Sequence, residues 1–519
     1  MENHDIDVEV STQVEASRRR QHTVVQVLNS LGLNRGGLTR AVLSRTVCVP
    51  EGASLVFAVP SFQTDLVDVF EQMKAKKMIP ARTQLESLHS RLAKNGRSGT
   101  ASLPRVIELV SGSRQLDVTT EVKKTNSLKR YFMGGRFIGS IRRNSDGTLV
   151  EAVDHSEQWP WFPISRTVFD KNGAIRRQIF FDSDHNPRYQ IYFNPDGGEY
   201  LSSWLRPNGT PYRIIQFEAS EAKQFDRLED LQESWFEKVL DEVGAAVVLC
   251  DEPSTIFALN GSLPEVRRIA TIHASHSKPD SSGSIAPKAW LSQYVDRRNT
   301  IDKFVFLTNV QARDFATITG VNPSKLAVIY HPGPQVDPRP LNARERGLLV
   351  IVSRLAKDKQ VEHAIRAVVR AHKRVPYLRL EIFGTGDQES ILRDLIKKSG
   401  ASEYISMRGQ TDNAAAMFAR AEASLMTSLH EGFGLVILES MASGTPVISY
   451  DTPFGPQELI TDGMNGVLSP LNDIEALSKE ICRTFNRPGR LRKLQNGARA
   501  TGSQGSETEW RTHWHELLA

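Results

Sequence analysis

Between Gly347 and Pro470 the chain alternates short apolar runs with amphipathic segments six times over, and that regularity leaves few folds open. GLLVIVSRL, YLRLEIFG, YISMRG, ASLMTS, PVISYD and GVLSP read as strands, and stretches such as VEHAIRAVVRAHKRV and QESILRDLIKKS between them read as helices. Six such units in sequence require crossover connections, so a doubly wound parallel sheet is expected. Ligands of such sheets bind at the carboxyl ends of the strands.

The first half holds pieces of the same kind. HTVVQVL (22–28) is a buried-strand pattern followed by a glycine-containing turn and the helical LTRAVLSR; LVFAV, AAVVLCDE, RIATIHA and KFVFLT follow at 55–59, 245–252, 268–274 and 303–308. From about 105 to 217 the pattern changes to aromatic and β-branched runs broken by Asp146-Gly147, Asn172-Gly173, His185-Asn186-Pro187, Asp196-Gly197 and Asn208-Gly209. Such dipeptides supply the backbone of tight hairpins, and their spacing is that of a β-meander. The expected architecture is therefore α/β, with two facing Rossmann-like domains, a cleft between them, and an antiparallel β-sheet insertion in the first. Its expected segments are a mobile tail (1–20), a first domain (21–104 and 218–335), the insertion (105–217), a second domain (336–505) and a C-terminal helix (506–519).

Composition narrows the class further. Apolar residues at 39%, charged residues at 24% and a mean hydropathy of −0.34 describe a soluble globular chain, and no run approaches the ~18 apolar residues a membrane span needs. The acidic start, MENHDIDVEV, lacks a secretory pattern, and Cys48, Cys250 and Cys482 are too scattered for a disulfide framework or a metal site, so a cytoplasmic location is expected. A net charge of +5 permits an anionic partner without demanding one. Basic clusters lack interleaved aromatics, so no nucleic-acid partner is expected.

The most specific signal is HEGFGLVILE at 430–439, after the strand ASLMTS. Glu431 falls in the loop at the strand's mouth, Gly432 and Gly434 allow close backbone approach, and Glu439 lies on the following helix. Two carboxylates and a helix N-terminus aimed at one cleft suit sugar hydroxyls and an anion. Arg354 and Lys359, five apart in SRLAKDK, can bring two cations to the same edge to neutralise a diphosphate. Gly384 in Gly384-Thr385-Gly386 and the Gly455–Glu458 loop are supporting elements. In the first half, Gly36 and Gly37 form a strand-to-helix glycine loop that could face a phosphate, and His273 stands at a strand end within TIHASH. Each feature also has a plain structural explanation in capping, surface charge or core packing.

EGFGLVILES with its E-x7-E spacing, MASGTPVIS, GPQELI, DGMNGVLSP and SRLAKDK together resemble the C-terminal half of retaining, nucleotide-sugar-dependent glycosyltransferases of the GT-B fold, over about residues 347–470. RGGLTRAVLSR, the inserted segment beginning at KRYF, LCDEP and TIHASH resemble a narrower group: bacterial poly(ribitol phosphate) and poly(glycerol phosphate) teichoic-acid α-glycosyltransferases and the catalytic glycosyltransferase of serine-rich adhesins. The resemblance implies transfer of glucose or N-acetylglucosamine from a UDP-sugar to an anionic polyol-phosphate polymer, with protein Ser/Thr glycosylation or a non-catalytic partner subunit as alternatives. Arg354 and Lys359 would hold the diphosphate and stabilise the leaving nucleotide. Glu439 would hold the ribose, Glu431 and the amides of Gly432, Phe433 and Gly434 the transferred sugar, and Gly36 and Gly37 a phosphate. His273 would sit by the sugar. The departing phosphate would help deprotonate the acceptor on the same face, with no separate nucleophile. No cofactor and no metal are expected; Asp182-Ser183-Asp184 reads as a turn and not as a metal motif. A homo-oligomer formed through the insertion, and a place at the inner face of the cell membrane, complete the expectations.

Overall fold

The computed structural model describes residues 22–33, 37–112, 115–123, 126–156, 158–261, 263–279, 285–334, 336, 343–502 and 507–519. The tail expected over 1–20 lies outside them. The described residues pack as two compact units, those within Met1–Asn34, Gly52–Cys250 and Ser254–Val266 and those within Arg35–Glu51, Asp251–Pro253 and Arg267–Ala519.

In the first unit, Thr23–Val27 is fully buried and lies between Ala245–Cys250 and Ser54–Val59, both parallel to it; Gln84–Ser87 pairs with Ser54–Val59 on the far side. Near-continuous apolar strands of this kind need cover on both faces. Helix Leu228–Val243 supplies part of it, packing Leu231, Trp235, Phe236, Val239 and Leu240 into a core that also takes Val25, Val56 and Val248.

The remainder of this unit is a ten-stranded antiparallel sheet in which every strand pairs with its neighbours in sequence, from Asp117–Val122 to Ala222–Arg227. Its turns use the expected dipeptides: Gly147, Gly173, Gly197 and Gly209 all have φ between +81° and +88°. The last strand, Ala222–Arg227, lies beyond residue 217, where the insertion was expected to end; the helix that follows begins at Leu228. Helix Arg105–Ser111 sends Val106 into a core with Tyr131, Ile141, Phe169 and Phe193. Asp182 closes a turn by accepting from the amides of Asp184 and Asn186, each at 3.0 Å, as its turn reading requires.

In the second unit, Leu348–Val352, Arg379–Phe383, Ile405–Gly409, Ala423–Met426, Val447–Tyr450 and Gly466–Ser469 form an all-parallel six-stranded sheet. Numbered in chain order its strands run 3-2-1-4-5-6, so the direction of winding reverses between Leu348–Val352 and Ala423–Met426. That reversal opens a crevice at the strands' carboxyl ends. Helix Val361–His372 buries Val361, Ala364, Ile365, Ala367, Val368 and Ala371 against the sheet, as its apolar spacing dictates. The same unit contains the parallel strands Arg267–Ile272, Lys303–Phe306 and Leu326–Val328.

Candidate functional site

The loops after the first and fourth strands of the six-stranded sheet are tied together before any ligand is considered. Thr427 donates from its hydroxyl to the carbonyls of Lys359 and Gln360, both at 3.0 Å, and the Leu429 amide donates to the Asp358 carbonyl at 2.8 Å. Gln360 has φ +45°, a left-handed conformation rare outside glycine, which turns the chain into helix Val361–His372. The result is a close ion pair, Lys359 Nζ to Glu431 Oε1 at 2.7 Å, with both side chains 15% exposed. Asp358 stands 3.8 Å from Lys359 and 3.7 Å from Arg354.

A cavity of 440 Å³ opens over this pair. It brings together His273, Arg354, Lys359, Glu431, Gly432, Phe433 and Gly434, all singled out in the sequence, with Asp358 and His430 of the same two motifs, to which no role was given, and adds Lys288 and His331. Arg354 lines the same cavity as Lys359 but with its side chain 72% exposed, and its carboxylate contact is Asp358. Gly384 and Gly386 act one step back. A Cβ on either would strike the carbonyl of Ser353 or Leu355, at 1.8 and 2.3 Å, so both let their loop close on the backbone that carries Arg354. Glu439 is partly buried on helix Leu435–Ala442 and is not among the lining residues. Gly36 lies outside the described residues, and Gly37 begins helix Gly37–Arg45.

Gly432 is packed backbone to backbone, since a Cβ there would sit 1.9 Å from the His273 carbonyl oxygen. Gly434, at φ +81°, starts helix Leu435–Ala442 without a side-chain cap. Phe433 turns inward against Leu307 and Leu438 and meets the edge of the His331 ring at 5.3 Å. Gly455 lies equally close to the Phe433 carbonyl, and Glu458 of that loop caps helix Asn309–Thr319 by accepting from the Asn309 and Val310 amides, both at 3.2 Å.

His273 and His331 have ring planes within 20° of parallel and centroids 6.0 Å apart. Burial, reinforced by His273 and Arg45, pushes His331 down to about 3, so it is neutral at physiological pH. His273 Nε2 meets Asp251 Oδ1 at 2.7 Å. Burial alone would push Asp251 up, but the Arg45 charge and the bond from His273 hold its carboxyl well below the usual carboxylate range. Asp251 and His331 escaped sequence reasoning, although LCDEP and HPGP both follow strand-like runs. Among the described residues no group of three or more His, Cys, Asp or Glu is placed to hold a metal ion.

Comparison with known proteins places this geometry. Residues 336–501 match the family of group 1 glycosyl transferases. The matched stretch includes Arg354, Lys359, Glu431 and Glu439. Over 295 residues the chain is 31% identical to an exopolysaccharide phosphotransferase of Streptomyces coelicolor, a match covering 57% of this chain and 30% of that protein. Over 240 residues it is 29% identical to the poly(glycerol-phosphate) alpha-glucosyltransferase of Bacillus subtilis, covering 46% and 36%. The match thus spans about a third of the length of either relative. Among solved structures, a TarM variant of S. aureus in complex with fondaparinux, alpha-GlcNAc-glycerol and UDP matches with a TM-score of 0.75 at 19% identity, covering 96% of this chain and 99% of that one. The chain therefore has the fold of TarM: Rossmann-like parallel sheets with an antiparallel sheet inserted.

Proposed function

We propose that the chain is a UDP-sugar-dependent retaining glycosyltransferase that moves glucose or N-acetylglucosamine to a cell-wall polyol-phosphate polymer. The observation that carries the reading is the placement of Lys359, Arg354 and Glu431 around one cavity at the switch point of a 3-2-1-4-5-6 sheet, inside the group 1 domain. The Bacillus subtilis relative, named for glucosyl transfer to poly(glycerol phosphate), and the UDP and GlcNAc-glycerol held by TarM supply the substrate class.

On this reading the donor diphosphate takes over Lys359 from Glu431 and draws in exposed Arg354. Release of the ion pair frees the Glu431 carboxylate to accept from hydroxyls of the transferred sugar. The cations stabilise the charge that builds on the leaving nucleotide, and the departing phosphate receives the acceptor's proton on the same face. Glu439 grips the ribose. Gly37 contributes from the first strand-to-helix loop, with Gly36 beside it in sequence. The proposed domains keep the boundaries 21–104 with 218–335, 105–217 and 336–505, except that strand Ala222–Arg227 carries the insertion's sheet on to residue 227.

The insertion serves self-association and holds the polymer. Its two outermost strands, Asp117–Val122 and Ala222–Arg227, are largely exposed, and Trp159, Trp161 and Trp204 are 57%, 75% and 40% exposed. Open edges and large apolar side chains favour pairing with another chain. Among the described residues no helix is long and apolar enough to cross a membrane; we place the enzyme in the cytoplasm at the membrane's inner face.

The test is release of UDP from UDP-glucose and UDP-N-acetylglucosamine with and without poly(glycerol phosphate) or poly(ribitol phosphate), in buffer with excess EDTA. Polymer-dependent release that survives EDTA is expected. No release from either donor overturns the reading, and a requirement for added magnesium or manganese overturns the cation-pair account.

A further inference from the structure

Arg45, the last residue of helix Gly37–Arg45, is buried yet carries an obligatory charge. Its Nη1 donates to Asp251 Oδ1 at 3.1 Å and to Thr271 Oγ1 at 3.3 Å, and its Nη2 donates to Asp251 Oδ2 at 2.5 Å. The Trp514 ring of the C-terminal helix Glu507–Leu518 covers the guanidinium at 4.4 Å. Asp251, with no exposed side-chain surface, thus receives Arg45 through a two-pronged contact and His273 Nε2 through Oδ1. His273 alone of the three reaches the cavity.

An ionised carboxylate can only accept, so the nitrogen it faces must carry a proton. Arg45 also cancels the carboxylate's charge, so the pair orients the ring without adding net charge beside the cavity. His331, neutral and stacked alongside, does not repel it. We propose that Asp251 and Arg45 are positioning residues that hold His273 with Nε2–H toward Asp251 and with Nδ1 offered as a hydrogen-bond acceptor to a hydroxyl of the transferred sugar. The proposal rests on the glycosyltransferase reading. The Nδ1 atom has no hydrogen bond among the described residues, which leaves it available. A buried ion pair that only stiffened the fold would not need an imidazole at its open end. Trp514 extends the device to the C-terminal helix, whose ring keeps water from the guanidinium.

The decisive measurement is the ring-nitrogen spectrum of ¹⁵N-histidine-labelled full-length protein recorded over a pH series and read in the form with one protonated and one bare ring nitrogen, with His273 assigned by its loss in His273→Asn. A protonated Nε2 and a bare Nδ1 are expected in the wild type; a protonated Nδ1 overturns the proposal. In Asp251→Asn the amide N–H₂ should face the ring and reverse the tautomer. There kcat for transfer should fall by about 10²-fold or more while the UDP Kd, read by calorimetry, stays within about threefold. An Asp251→Asn enzyme with wild-type kcat also overturns it. Should that variant fail to fold, the wild-type spectrum still decides. If no UDP-sugar is turned over at all, the functional reading falls, and the wild-type tautomer separately reports whether Asp251 sets the ring.

Discussion

Gly432→Ala is the most severe test of the site's geometry, because a single methyl has nowhere to go. The new Cβ would lie 1.9 Å from the His273 carbonyl oxygen, 2.9 Å from its carbon and 3.2 Å from the Ala274 Cα, where ordinary contact begins at 3.4 Å. All three obstacles are backbone, so the strain cannot be relieved by rotating a side chain. The loop must open by about 1.5 Å, more than the ~1 Å misplacement that can cost about 10²-fold in rate, and overpacking of this kind costs about 1–3 kcal/mol of stability. Glu431 precedes the methyl and His273 faces it, so both move. The expected result is a loss of at least about 10²-fold in kcat/KM for sugar transfer and a lower Tm. Gly489→Ala is the control: a Cβ there meets nothing within 4 Å, and alanine at the second position of helix Pro488–Gly502 should leave stability within about 0.5 kcal/mol and activity unchanged. A Gly432→Ala enzyme with wild-type kinetics and melting would refute the claim that the His273 and Glu431 loops are held backbone against backbone.

Glu431→Gln should lower kcat more than it weakens UDP binding, because it removes a partner of the reacting sugar, whereas Glu439→Gln should chiefly weaken UDP binding; calorimetry and initial rates separate the two, and equal effects on both quantities would break the assignment. His331 titrates at about 3 in the folded chain against 6.5 in the unfolded one, so as pH falls below 6.5 the unfolded state takes up a proton that the folded state refuses, and stability declines. Across that window His331→Gln should flatten the fall in denaturant-measured stability by up to about 1.4 kcal/mol per pH unit, with the equally depressed His89 left to supply a similar slope; an unchanged acid limb would contradict the burial of His331.

Much of this was legible in the sequence, and the exceptions have physical causes. The six-stranded sheet showed through its periodicity because its helices bury one face and most of its strand positions are apolar, with charge confined to Arg379, Glu381 and Arg408. Glu431 and Lys359 were recognisable because parallel neighbours place their following loops side by side, a consequence of topology alone. Arg354 and Lys359 were expected at one cleft edge, and both line the cavity, but residue spacing carries no information on which way a turn throws a side chain, so the greater exposure of Arg354 was not legible. The strand Ala222–Arg227 was missed because AKQFDR offers one partly buried apolar residue, Phe225, which pairs across from Ile214; an edge strand needs no alternation. The link from Arg45 to Asp251 joins residues 206 apart in sequence, and no local pattern announces such a partner.

The same separation has a consequence for how the chain is made. Thr23–Val27 finds one neighbour early, in Ser54–Val59, but its other neighbour is Ala245–Cys250, and the Thr23 hydroxyl reaches the Val243 carbonyl across 220 residues. At about 5–20 residues per second, a ribosome delivers that second partner roughly ten to forty seconds after the first strand. Throughout that interval an apolar strand keeps an open edge. The ten-stranded sheet lies wholly within the gap and consists of nearest-neighbour hairpins, the kind of contact that forms fastest because each closes a short loop. Once formed, it draws the ends of the intervening chain closer than an unfolded stretch of equal length would hold them, and so lowers the entropy lost when the last strand docks. The insertion is thus also a folded spacer that keeps a place in the parallel sheet for a strand not yet synthesised.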